Sequence, residues 1–193
     1  MGYSIAIELT LKEMKTLRTL RNLALAGGCV ILFMPATAQD NPKLSDEEVA
    51  SVAVTANQID INQARLAKER SKNTQVLQFA ETMANDHKAV IGQASALVKK
   101  LGVTPKDNAV SRQLLADAAK TEKVLKTKKG KEFDKAYIDN EVAYHKAVIS
   151  AVKGLLIPET ENQELKDLLQ NILPALDAHL QHAQMLQKQY AAK

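Results

Sequence analysis

The sequence is short of aromatic and turn-forming residues: no tryptophan, three phenylalanines and four tyrosines, with seven glycines and five prolines in 193 residues. With no alternating apolar pattern either, a β-rich fold is excluded; the 46% hydrophobic content suits an all-helical bundle with one sizeable core. Cysteine is nearly absent, and the single one, Cys29, lies near the N-terminus. Once that segment is removed, no disulfide can staple the chain and no thiolate can serve as nucleophile or metal ligand. A charge excess of one sign is also lacking. The formal net charge is +4, and without the first 38 residues, which hold four basic and two acidic side chains, 22 basic residues face 20 acidic ones. That balance argues against a dedicated nucleic-acid binder. There is no glycine-rich phosphate loop, nucleophile elbow or internal repeat.

What is present begins with a leader. Lys15, Arg18 and Arg21 precede an apolar run from Leu23 to Met34, and Ala36-Thr-Ala38 supplies small residues for cleavage. This is the layout of a secretory signal peptide over residues 1–38, with Met14 an alternative start. The expected location is therefore exported, periplasmic or secreted. Lipidation at Cys29, through Ala26-Gly-Gly-Cys29, is the alternative; against it, the residues after Cys29 stay strongly apolar. Residues 39–44 read as a polar tether, and 45–193 as the bundle domain.

Four long helices are expected. Ser45-Asp-Glu-Glu48 forms a capping box that opens the first, which ends at the polar break Arg70-Ser-Lys-Asn73. The second runs from about Asn73 to Leu101, closed by Lys99, Lys100 and Gly102. Residues 102–130 are too long for a hairpin, carry a weak helix of their own, and are read as a crossover along the bundle. Their lysines (Lys120, Lys123, Lys126, Lys128, Lys129) and Lys131 suggest either a solvated face or a contact with an anionic envelope surface. The third helix runs from Lys131 to about Leu156 and is broken by Pro158. The fourth starts near Glu159, and Pro174 is expected to kink it one turn before His179.

Each long helix carries one ionisable residue in its apolar stripe. His87 lies seven residues from both Ala80 and Ala94; His145 from Ile138 and Val152; His179 from Ile172 and Leu186; Asp60 from Ala53 and Ala67. Seven residues is nearly two turns, so each points where a core side chain should point. If the crossover makes the second and third helices parallel, all four lie at similar depth. Three imidazoles and a carboxylate are a plausible set of ligands for one divalent transition metal, Fe, Mn or Zn. Asp86, Tyr137, Glu141 and His182 are candidates to extend or support it. The competing reading is that these are core histidines hydrogen-bonded to Asp60, Glu141 or Tyr137. His179 discriminates, because a simple up-down-up-down bundle would place it well below His87.

Met83-x-x-Asp86-His87, Phe133-Asp134-x-x-Tyr137, His145 and Leu173-Pro174-x-x-x-x-His179-Leu180 resemble the pattern of a bacterial exported family, domain of unknown function 4142, from Glu47 to about Tyr190. The resemblance implies a ferritin-like four-helix bundle outside the cytoplasm with no settled activity; at Asp60 that pattern usually has Glu. Di-iron bundles use Glu-x-x-His. Here the residues three before the histidines are Ala84, Val142 and Leu176, so a mononuclear site or none is expected. The expected function is that of an exported bundle protein that binds metal or acts in envelope stress. A structural or interaction protein without metal stays open, as does an oxidoreductase acting on peroxide or superoxide, which would need a redox metal with an open position. Self-association also stays open.

Overall fold

The computed structural model describes residues 43–191; the expected leader, its cleavage site and Cys29 lie outside them. Helix α1 (Asp46–Arg70) starts at the capping box, the Ser45 hydroxyl accepting from the Glu48 N–H and the Glu48 carboxylate from the Ser45 N–H. Acidic residues fill its first turn, and Lys68 and Arg70 its last, which complements the helix dipole. After a three-residue break, Asn73 caps α2 (Thr74–Leu101) by accepting from the Gln75 N–H. Gly102 ends α2 at φ 67°, a left-handed position that glycine adopts without a steric cost. The weak helix of the crossover is a full one, α3 (Ala109–Thr127), capped by Asn108 and Ser111. The third long helix, α4 (Gly130–Ala151), follows within three residues.

The connection after α4 departs from expectation. The chain passes into a π-helical stretch, Val152–Leu156, and one further turn, Ile157–Glu159, so Pro158 does not end the helix. Proline cannot donate to the carbonyl four residues back, and its ring crowds that carbonyl. The widened turn just before it relieves the crowding and carries the chain past Leu156. The last helix, α5, consequently begins later than expected, at Gln163, and continues through Pro174 to Ala191.

Side-chain pairs give the directions. His87 on α2 meets Asn57 on α1, while Lys68 pairs with Glu81, so α1 and α2 are antiparallel. Asn140 bonds Gln63 and Tyr144 bonds the Ala56 carbonyl, which makes α4 antiparallel to α1. Lys100–Glu164 and Asp86–His179 set α5 antiparallel to α2, and Gln187–Asp139 with Lys153–Asp177 set it antiparallel to α4. The order is up-down-down-up: α2 and α4 are parallel, as the crossover required. Helix α3 runs beside α1. Its start is held by Asn108 Nδ2 donating to the Glu48 carbonyl, and its end by Arg70 donating to the Lys126 and Lys128 carbonyls. No helix among the described residues is long and apolar enough to cross a membrane.

Two hydrophobic clusters fill the interior. One gathers Leu66, Val76, Phe79, Met83, Phe133, Tyr137 and Leu186; the other gathers Val49, Val52, Val152, Leu156, Leu169 and Leu176. Asp60 on α1, His87 on α2, His145 on α4 and His179 on α5 fall between the two sets along their helices.

Candidate metal centre

The three histidine rings converge. Their centroids lie 5.8 Å apart for His87–His145, 5.3 Å for His87–His179 and 5.5 Å for His145–His179. No aliphatic layer separates His179 from His87, and His179 is only 7% exposed. Asp60, fully buried, brings Oδ2 to 3.3 Å from His87 Nε2 and 3.6 Å from His145 Nε2.

Each ring is held by a group that can only accept. Asn57 Nδ2 donates to the Ala53 carbonyl at 2.8 Å, which leaves Oδ1 facing His87 Nδ1 at 2.7 Å. His145 Nδ1 lies 3.0 Å from the Glu141 carbonyl, and His179 Nε2 lies 2.9 Å from the Asp86 carboxylate. In every case the outer nitrogen must carry the proton. The inner nitrogens, His87 Nε2, His145 Nε2 and His179 Nδ1, are then bare lone pairs, and none has a protein hydrogen-bond partner. One ligating atom from each ring falls within 4.8 Å of those of the other two. A second grouping of the same tightness joins Asp60, Glu141 and His145.

Electrostatics keep the His87 and His145 rings neutral. Burial drives His87 down to about 3, with His145 and His179 adding to the effect. Burial likewise lowers His145 to about 4, against the opposing pull of the Glu141 carbonyl and with a further lowering from His179. For Asp60, burial raises the carboxyl to about 7. Glu141, fully buried, is pushed well above the usual carboxylate range, first by burial and then by Asp60. The inward ring lone pairs repel one another, and a buried polar atom with no partner costs about 1–3 kcal/mol. Neutral imidazoles oriented by outer acceptors, beside a carboxylate, form a donor set that suits a transition-metal ion.

The supporting residues divide. Asp86 touches the cluster by holding His179, and Glu141 does so by holding His145 through its carbonyl, with its carboxylate 3.6 Å from the same ring nitrogen. Tyr137 is fully buried one turn before Glu141, stacked on Phe133, and its hydroxyl has no hydrogen-bond partner. His182 is not brought in: its ring meets the edge of Phe79 at 5.1 Å, one turn beyond His179. Sequence reasoning missed Asn57, which holds His87, and Tyr144, whose ring packs edge-on against His145.

A model of the family called domain of unknown function (DUF4142) matches residues 33–186. The chain belongs to the DUF4142 family. Two of the motif elements that carry the resemblance, Met83-x-x-Asp86-His87 and Leu173-Pro174 to His179, meet in the Asp86–His179 hydrogen bond. Among solved structures, this DUF4142 chain is similar in fold to CopM in the Cu(II)-bound form, with a TM-score of 0.58 and 13% identity over 77% of this chain and 99% of that one. No curated protein matches it.

Proposed function

We propose that this DUF4142 protein is exported and holds one divalent transition-metal ion among His87, His145 and His179, with Asp60 as fourth donor, acting in the envelope as a metal-binding protein rather than a catalyst. The observation that carries the reading is the orientation of the rings: three imidazoles from three helices turn their protons outward and their lone pairs inward. A core built only for packing gains nothing from that arrangement. Export is supported by the leader pattern, since charged, apolar and small-residue segments follow one another in order.

A nitrogen-rich set without thiolate ranks divalent ions from Mn²⁺ through Fe²⁺ to Cu²⁺, with Zn²⁺ weaker than Cu²⁺. Copper thus joins Fe, Mn and Zn as a candidate, and the Cu(II) carried by the fold neighbour supports its inclusion. The test is metal content after dialysis against each ion, on wild type and on His87→Ala and His179→Ala. One ion per chain, lost in both variants, is the expected result. A wild type that retains no metal, or variants that retain as much as wild type, overturns the proposal.

A further inference from the structure

A cavity of about 350 Å³ runs up to the histidine cluster between α1, α3, α4 and α5. Its walls change character along the bundle. Helix α1 contributes Val52 and Ala53 at one end, then Asn57, Asp60 and Gln63 at the other. Antiparallel α4 repeats the order in reverse, from Ala151 and Val148 to His145, Tyr144 and Asn140. Helix α3, parallel to α1, passes from Leu114 through Asp117, which Gln113 and Lys120 hold, to Thr121, and α5 adds Leu169, Ile172 and Leu176 to the apolar end. Four helices agree, so the space has one apolar half and one polar half. The π-helical stretch supplies two of the apolar residues, Val152 and Leu156, and such departures from α-helix are frequent at functional sites.

Helix α3 forms the outer wall. That helix is buried only near its ends, at Ser111 and Leu125, and is tied down there through Asn108 and by Arg70. Its middle, with half-buried Leu114, Ala118 and Thr121, roofs the cavity.

We propose that this cavity binds an aliphatic molecule with a single anionic head, the head meeting the metal and Asp60 end and the chain lying between α3, α4 and α5. The class follows from the walls. The apolar half is lined by Ala, Val, Leu and Ile with no aromatic ring, which favours a flexible aliphatic chain over a planar one. Polar groups gather at one end only, so one head is accommodated. Three neutral imidazoles and one carboxylate around a divalent cation leave a positive charge, and the other carboxylate on the wall, Asp117, is already paired with Lys120, so the head is anionic. Size sets the length. The volume is somewhat over twice the roughly 150 Å³ that holds benzene, which allows on the order of a dozen heavy atoms. From Val52 to Gln63 the helical rise gives about 16 Å. Decanoate matches both.

The inference rests on the metal reading, and calorimetric titration of the metal-loaded and metal-free protein with decanoate separates the two. The metal-loaded protein is expected to bind decanoate at least tenfold more tightly than hexanoate or hexadecanoate, and at least tenfold more tightly than metal-free protein does. Ala151→Phe, which fills the apolar half away from the cluster, is expected to retain its metal and lose decanoate binding. Should that variant fail to fold, the chain-length series on wild type stands by itself. Retained metal with no decanoate uptake, no optimum in chain length, or equal affinity with and without metal overturns this inference alone. A protein that takes up no metal overturns both.

Discussion

The orientation of His87 depends on one asparagine, and replacing it tests the proton placement on which the metal reading stands. In Asn57→Leu the side chain keeps its approximate volume but loses the acceptor that now faces His87 Nδ1 at 2.7 Å. Without that acceptor the ring gains by moving its proton to Nε2, where the Asp60 carboxyl lies 3.3 Å away. The metal-facing lone pair is then gone. Loss of such an outer hydrogen bond typically lowers metal affinity 10–100-fold, or about 1.4–2.8 kcal/mol. Metal-free stability should fall by less, about 1 kcal/mol, because the imidazole exchanges one hydrogen bond for another. Asn57→Asp retains an acceptor and makes the imidazole a stronger donor to metal, so its affinity should equal or exceed that of wild type. Competition against a chromophoric chelator reads all three proteins, with chemical denaturation of the metal-free forms alongside. Asn57→Leu binding metal as tightly as wild type would refute the tautomer argument.

Asp86→Ala removes the acceptor that holds His179 Nε2 at 2.9 Å. Because the Asp86 side chain is 51% exposed and water can replace it in part, the same competition assay should show about a tenfold loss, at the low end for such contacts. His182→Ala should leave metal affinity within about twofold, whereas Phe79→Ala, at a fully buried position, should cost about 3–5 kcal/mol by denaturation. In the metal-free protein Asp60 is raised to about 7, so the folded state holds a proton that the unfolded state lacks, and stability should rise as pH falls from 8 toward 6.5. Below 6.5 the lowered His87 and His145 act with the opposite sign, because the unfolded histidines take up protons first, and the gain should level or reverse. Melting temperature against pH checks this, and Asp60→Asn should remove much of the rise; the same slope in that variant would rule out Asp60 as its source. Metal affinity should fall over the same interval, since the ion must displace the carboxyl proton.

The stripe positions were legible because a helix core repeats almost every seven residues, and an ionisable residue in that repeat stands out against Ala80 and Ala94 or Ile172 and Leu186. That logic reaches only residues at the centre of a stripe. Asn57 lies at its edge, where an asparagine is ordinary in sequence and becomes informative only when its Oδ1 is seen against His87. Phe79, fully buried, escapes the same logic, lying one position from Ala80 on a broad inner face. His182 shows the converse error: one turn from His179 is close in sequence, yet along α5 that turn reaches the layer of Phe79. Pro158 misled because a proline is read as a helix end, and the widened turn that admits it has no sequence pattern of its own.

The crossover connects the two proposed sites. A short turn between α2 and α4 would make those helices antiparallel and shift His179 along the axis away from His87, whereas the up-down-down-up order lets three rings meet at about 5.5 Å. The segment that sets this order must span the bundle, and it does so as α3, which is buried near its two ends while its middle stays half-buried above the cavity. A helix packed along its whole length would close that space with its own side chains. Ala118 at the centre, where a larger residue would fill the roof, leaves the volume beneath it open. The connection that aligns the metal-facing nitrogens is therefore also a wall of the cavity that reaches them.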